Sequence, residues 1–327
     1  MGDAEDITTT APDLEAALAA LRKDWDFIRA RLRTVEHDVV VEGSRQTLRL
    51  HYPSLRNGQP TIAELIRAIS TCLVPFSLPR KRIEDAVQAA GSDAFARLRA
   101  HELLSQEARS LFIRARQSSN RNGEAGELLL YILTEWVLEA PQIIAKMGLK
   151  TASQMPVHGS DGVHVRYDPA TGHLILYSGE AKLYADLNAA IDAAVGSIAT
   201  TLAPQKLDHE IDLVRRNLEV SGLDPDARSA LLAYLDPFDE SSNARRDVVT
   251  CLIGFDFAAY AAISGEAADA AFEEAAVARL REIGTRIGQA FTDAGLGQSR
   301  AELFLMPVPS VSGLRTAFQN HIGWTAS

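Results

Sequence analysis

The sequence predicts an α/β protein with a mixed sheet, built around a β-hairpin and two further buried strands. Residues 158–182 form two alternating apolar and polar stretches on either side of Pro169-Ala170-Thr171-Gly172, which is typical of a hairpin. Residues 247–257 and 301–309 are apolar runs of strand length. Because helical patterns precede and follow these segments, we expect a mixed α/β core.

The chain is long enough for one large domain or two smaller ones. It has 327 residues, 46% of them hydrophobic, so a full core can be buried. Residues 1–115 carry mostly helical patterns, whereas strands concentrate in residues 116–327, after a polar break that begins at residue 117. We therefore expect a mostly helical N-terminal region, 1–115, followed by a sheet-containing domain, 116–327.

Periodicity and terminators predict the remaining elements. Pro75 and Pro141 each end an apolar helical stretch, because proline cannot continue a helix. Helices are expected at 13–33, 61–74, 79–90, 93–116, 124–140, 183–202, 204–221, 225–235, 266–295 and 311–322. Two further strand regions are expected at 39–52, as one or two strands, and at 142–150.

Charge, cysteine content and hydropathy narrow the functional class. The net charge of −10 predicts a surface that as a whole repels nucleic acid, although residues 80–121 carry nine Lys/Arg and five Asp/Glu. A solvated helix face and a track for backbone phosphates both explain that basic stretch. Cys72 and Cys251 lie in separate apolar segments and are expected to be buried thiols in a reducing cytoplasm. No apolar run spans a membrane, and no secretory signal is expected.

The turn sets the register of the hairpin. If Pro169–Gly172 is a four-residue loop, Asp168 faces His173, and Asp161 then stands directly opposite Glu180. The face that carries both acids is otherwise apolar near the turn, and Lys182 follows on the same face. Because this face is expected to contact the core, the register is well specified.

Two carboxylates directly opposite each other repel, so the arrangement needs a cation. Lys182 is one candidate, which would make the group a structural salt bridge. A divalent ion is the other, since Mg²⁺ is bound by one or two carboxylates with phosphates and waters completing its shell. A metal-bound water beside a lysine suits chemistry at phosphate.

The helix predicted before the hairpin carries two more acids. Glu124 and Glu127 are three residues apart on one face of its first turn. Acids at a helix N-terminus also stabilise the helix dipole, so this placement has an ordinary explanation. Either residue could instead complete a metal site.

Three further residues are candidate phosphate contacts. His158 precedes Asp161 in the connecting segment, where a surface loop histidine is favoured over a phosphate contact. Lys146 and Lys150 share a face if residues 142–150 form a strand, where they would reach DNA phosphates or line a solvated edge. The spacing of histidines and cysteines disfavours a zinc site. No Gly-Lys dipeptide occurs, so the chain has no Walker A loop.

A helical Glu, then Asp161, then Glu180-Ala181-Lys182 resembles the PD-(D/E)XK nucleases, whose core is restriction-endonuclease-like. The longer strings GEAGELLLYILTE, APQIIAKMGLKT, MPVHGSDGVHV and LYSGEAKLY resemble the HamA effector family of the Hachiman antiphage defence system. This similarity is close over residues 120–200. The proline of the PD pair is absent, with Ser160 before Asp161.

The resemblance implies a restriction-endonuclease-like core and a metal-dependent DNase that works with a HamB-like helicase in the cytoplasm. Asp161 and Glu180 would bind Mg²⁺ (or Mn²⁺), Lys182 would position the attacking water, and Glu127 or Glu124 would complete the site. Two other functions stay open at this point. One is a non-catalytic DNA- or helicase-binding subunit that keeps the nuclease fold. The other is a metal phosphohydrolase acting on nucleotides.

Overall fold

A computed structural model describes residues 11–35, 39–40, 45–119, 123–147, 161–218, 221–262 and 268–324. The strands are β1 Leu32–Thr34, β2 Val39–Val40, β3 Gln46–Pro53, β4 Leu55–Arg56, β5 Gln59–Pro60, β6 Gln142–Ile144, β7 Gly162–Asp168, β8 His173–Leu183, β9 Arg245–Asp256 and β10 Ala301–Val308. The helices before the hairpin are α1 Ala11–Ala20, α2 Asp26–Arg29, α3 Ile62–Ser70, α4 Leu73–Ser77, α5 Arg80–Ala89, α6 Ala94–Ser119 and α7 Glu124–Val137. Those after it are α8 Leu187–Thr201, α9 Pro204–Asn217, α10 Pro225–Leu235, a 3₁₀ helix Glu240–Ala244, α11 Ala259–Ala262, α12 Ala268–Asp293 and α13 Val311–His321.

A mixed sheet forms the centre of the fold, as the sequence predicts. Its strands lie in the order β1-β3-β10-β9-β8-β7-β6, with β2 paired to β3. Strands β3, β10, β9 and β8 pair in parallel with one another. Strands β1 and β2 are antiparallel to β3, and β8, β7 and β6 are joined antiparallel. The parallel strands therefore all end at one edge of the sheet, where α/β folds commonly place their ligand sites.

Helices cover both faces of the sheet. Buried residues of α3, α4, α6, α7 and α13 form one apolar cluster with the first face. On the second face, α8 and α12 pack over β3, β9 and β10, and α1, α9 and α10 pack over the hairpin. Both faces of the hairpin are therefore buried, whereas the sequence pattern indicated a single face in contact with the core.

The first predicted helix is wrong as a single element. Residues 13–33 divide into α1, α2 and β1 because their apolar residues pack on opposite sides of the sheet. Leu14, Leu18 and Leu21 belong to the cluster around the hairpin, whereas Trp25 and Ile28 belong to the cluster under α7. The chain crosses from one face to the other between Leu21 and Trp25, so helical periodicity continues where the helix does not.

The sheet crosses the boundary that the sequence predicts near residue 115. Strand β3 lies in the first region and pairs in parallel with β10 of the second. The same apolar cluster includes Phe112 of α6 and Leu128 of α7. The strand predicted over 142–150 is shorter, since β6 ends at Ile144.

The two cysteines are free and buried, which confirms their expected role as thiols of the core. Within the ranges that the structure describes, no helix combines the length and the apolar character needed to cross a membrane.

Candidate functional site

The register of the hairpin matches the one expected from its turn. Gly162 pairs with Gly179, and the pairing continues without a shift to Asp168 and His173. The turn is closed by the N–H of Gly172, which donates to the carbonyl of Asp168 at 2.8 Å, and Gly172 has the positive φ of 69° that favours glycine. This local chemistry fixes which residues meet at the far end of the hairpin.

Asp161, Glu180 and Lys182 lie together at that end. The N–H of Asp161 donates to the carbonyl of Gly179, and Oδ2 of Asp161 accepts a 3.0 Å hydrogen bond from the N–H of Ala181. These two bonds hold Asp161 opposite Glu180. Nζ of Lys182 lies 3.0 Å from Oε2 of Glu180, so both charged side chains occupy the same face of β8.

Ser197 is a member of this group that the sequence analysis did not identify. Its Oγ donates to Oε2 of Glu180 at 3.0 Å, from the middle of α8. The sequence around it, Ala193-Ala194-Val195-Gly196, is rich in small residues, which permit a helix to pass close to a strand. Glu180 therefore has two hydrogen-bond donors, Lys182 and Ser197, from two different elements.

The site carries more negative charge than its lysine neutralises. Burial raises the pKa of Glu180 above its ordinary value, and the negative charge of Asp161 raises that pKa further, against the opposing effect of Lys182 and Ser197. Burial alone would lower the pKa of Lys182, but the charge and hydrogen bond of Glu180 and the charge of Asp161 outweigh it, so the pKa of Lys182 is raised. Such mutual perturbation is common at functional sites.

Helix α7 supports the site from the other face of β8. A Cβ atom on Gly126 would lie 3.1 Å from Cδ1 of Leu183 and 3.2 Å from Cβ of Ala181. A Cβ atom on Gly179 would lie 3.1 Å from Cδ2 of Leu130. The two glycines therefore let helix and strand pack closely directly behind Glu180 and Lys182.

Glu124 and Glu127 lie in the first turn of α7, where the sequence places them. Both are half-buried, and their helix packs on the face of β8 opposite to the side chains of Glu180 and Lys182. Among the residues that the structure describes, no group of three or more His, Cys, Asp or Glu is close enough to hold a metal ion. The structure thus brings Asp161, Glu180 and Lys182 together and does not bring either helical acid into one cluster with them.

The three candidate phosphate contacts have different positions. Lys146 is 1% exposed and forms an ion pair with Glu210 of α9, which is equally buried, so it does not face solvent as a phosphate contact requires. It also follows β6 rather than lying within it. His158 and Lys150 lie outside the described residues. In the basic stretch, Lys81 and Arg82 are paired with Asp85 and Glu107.

The family model for HamA matches residues 29–322 of the 327-residue chain. The chain belongs to the HamA family. Membership of the HamA family indicates a component of the Hachiman antiphage defence system. No curated protein sequence matches the chain.

The donors in this HamA-family chain fit a hard divalent cation. The two carboxylates of Asp161 and Glu180 are oxygen ligands, and Mg²⁺ is commonly held by one or two carboxylates together with waters and substrate phosphates. Burial and the neighbouring charge of Asp161 raise the pKa of Glu180, so a bound cation would favour its ionised form. The described group of Asp161, Glu180, Lys182 and Ser197 contains no thiolate or imidazole, which are the ligands that softer metals prefer. The nearby Cys251 is fully buried in the core.

Proposed function

We propose that the chain is a metal-dependent deoxyribonuclease, the effector of a Hachiman defence system. The observation that carries this proposal is the meeting of Asp161, Glu180 and Lys182 at the far end of the hairpin, in the order typical of PD-(D/E)XK nucleases. Membership of the HamA family supports the same conclusion. The reaction would be hydrolysis of a phosphodiester bond in DNA.

Each residue of the group would have a separate role. Asp161 and Glu180 would hold Mg²⁺ (or Mn²⁺), with waters and substrate phosphates completing its shell. The bound ion would supply Lewis-acid chemistry, which polarises the phosphate and makes a bound water more acidic. Lys182 would hold the attacking water by a hydrogen bond from Nζ and stabilise negative charge as it develops on the phosphate oxygens. Ser197 would keep the carboxylate of Glu180 in one orientation.

A HamB-like helicase is the proposed partner, acting with the nuclease on DNA in the cytoplasm. The sequence has no Walker A loop, which supports a separate protein for an ATP-driven step. The family resemblance supplies the identity of that protein. Control of the nuclease by its partner would explain how a cell tolerates a DNase before infection.

Incubation of the purified chain with plasmid DNA and Mg²⁺ tests the proposed reaction, first alone and then with the helicase and ATP. We expect nicking or degradation that EDTA stops and that Asp161→Ala and Lys182→Ala both abolish. The Lys81→Ala variant is a matched surface control, because Lys81 is exposed and pairs only with Asp85 in the described contacts. Cleavage that survives both site substitutions, with and without the helicase, would disprove the proposal.

A non-catalytic subunit that binds DNA or the helicase is the second candidate. The observation that favours it is that no third metal-ligating residue joins Asp161 and Glu180 among the described residues. Phage protection in cells separates the two candidates. A binding subunit keeps full protection with Asp161→Ala, whereas a nuclease loses it.

A further inference from the structure

We infer that Tyr184 stacks on an unpaired base next to the reacting phosphate, while Arg315 holds the neighbouring phosphate of the same strand. This inference rests on the proposed nuclease function and adds the substrate class. The substrate would be DNA whose bases are unpaired at the position of cleavage, either a single strand or an unpaired end.

Tyr184 directly follows β8, two residues after Lys182. Its N–H donates to the carbonyl of Gly254 at 3.0 Å, so the pairing with β9 continues one residue beyond the strand. Because side chains alternate along a strand, Tyr184 follows Glu180 and Lys182 on the same face. The backbone is held firmly, yet the side chain is 42% exposed, which leaves part of an aromatic ring open to solvent beside the candidate site.

Arg315 approaches the same strand end from α13. Its Nη2 donates to the carbonyl of Leu183 at 2.6 Å, between Lys182 and Tyr184 in sequence. Its Nε is buried, but the residue as a whole is half-buried, so part of its side chain reaches the surface. A guanidinium presents five donors in a rigid plane and suits the oxygens of a phosphate. The contact with Leu183 uses only some of them.

An exposed ring and a cation on either side of one strand end are the elements of single-strand recognition. A base in a duplex already stacks on its neighbours above and below, so its flat face is not available to a side chain. An unpaired base can turn onto Tyr184 while the backbone runs past Arg315 and Lys182. A strand-separating reaction must therefore supply this substrate, which agrees with a helicase as the proposed partner.

Fluorescence of 2-aminopurine tests the stacking without any cleavage. Single-stranded oligonucleotides carrying this base at successive positions are bound to the full chain in the presence of EDTA. We expect quenching at one position with the wild type and with Tyr184→Phe, which keeps the ring. The Tyr184→Ala variant should lose the quenching and bind about 10-fold more weakly by anisotropy, which corresponds to about 1.4 kcal/mol. Arg315→Gln should weaken binding and reduce its salt dependence.

Phe238→Ala is the matched control. Phe238 is another exposed aromatic residue, 97% exposed, but it lies before β9 at the opposite edge of the sheet. We expect this variant to quench and bind as the wild type does. Circular dichroism of each variant shows whether it is folded.

The outcomes separate this inference from the proposed reaction. Quenching at one position without any cleavage in Mg²⁺ would leave the strand-binding inference intact and remove the nuclease. A Tyr184→Ala variant that quenches like the wild type would overturn the inference. The inference would also be overturned if the wild type bound no single-stranded oligonucleotide. It would fail too if the wild type bound flush-ended duplex as well as single strands and Tyr184→Ala weakened both to the same extent.

Discussion

Two lysine–glutamate pairs in this molecule have the same chemistry and opposite surroundings. Lys146 and Glu210 join the segment after β6 to α9, with side chains 1% and 3% exposed. Lys182 and Glu180 lie on one strand, with side chains 23% and 13% exposed, and a second carboxylate, Asp161, stands next to them. The first pair is enclosed in the interior, whereas the second is partly open and has an excess of negative charge.

The difference separates an enclosed, structural ion pair from one whose surroundings suit a functional site. An enclosed pair connects two elements, and removal of either partner destabilises the fold because the other charge is left buried and unpaired. The pair at the candidate site connects nothing distant, since its partners are two residues apart. Its surroundings instead perturb both pKa values and leave access for a ligand.

The largest expected effect is on stability, at the enclosed pair. Glu210→Ala removes a carboxylate from a lysine that is almost fully buried, so the free energy of unfolding should fall by about 3–5 kcal/mol. Glu210→Gln, which keeps a hydrogen-bonding side chain of the same size, should lose less. Urea denaturation measures both. If Glu210→Ala were as stable as the wild type, the distinction between the two pairs would fail.

The next effect is on cleavage, at the open pair. Lys182→Met should reduce the rate of the proposed cleavage by about 100–1000-fold, since it removes a donor that would face developing charge. Its stability should change much less than that of Lys146→Met, which is the matched substitution in the enclosed pair. Cleavage rates normalised to folded protein, with thermal unfolding measured on the same samples, provide the comparison. An equal loss of cleavage per folded molecule in Lys182→Met and Lys146→Met would contradict the distinction between the two pairs.

The pH dependence of stability sharpens the comparison further. Because the pKa of Glu180 is raised in the folded chain, the stability it contributes is present below the ordinary glutamate pKa and is lost as pH rises through the raised value. Glu180→Gln should remove this decline, so its stability should vary less than that of the wild type as pH rises above about 4.5. Urea denaturation at a series of pH values measures the difference. A steeper decline in the variant would reverse the sign of the argument.

The smallest expected effect is a gain in stability at α8. A Cβ atom on Gly196 would have nothing within 4 Å, so the surface next to Ser197 is open. Gly196→Ala should raise the free energy of unfolding by about 0.5–1 kcal/mol, because glycine is a poor helix residue. Thermal or urea unfolding detects this gain. A loss of stability would mean that another group already occupies this space.

Much of the fold could be predicted because its signals are local. The hairpin register depends on Pro169–Gly172 and on alternation, and the structure reproduces every pair from Gly162 to Asp168. Helices α5 and α10 agree with the expected segments to within about one residue at each end. Strands β9 and β10 were recognisable as short apolar runs for the same reason.

Features that depend on distant packing could not be predicted. Lys146 has the same sequence signal as a surface lysine, and only the approach of Glu210, 64 residues later, places it in the interior. The bond between Ser197 and Glu180 likewise depends on how α8 lies over the sheet. Helical periodicity could not show that the chain changes faces between Leu21 and Trp25.

The close fit of Gly126 behind β8 gives the candidate site a vulnerability that involves no charge. With Ala181 and Leu183 already against the helix, a larger residue such as valine at position 126 would wedge α7 away and tilt the strand that carries Glu180 and Lys182. A single aliphatic change on the concealed side of the sheet would then misalign the acids and the lysine while every ionisable group remained in place. The distance between α7 and β8 on the buried side therefore sets the positions of the charged side chains on the other side of the strand.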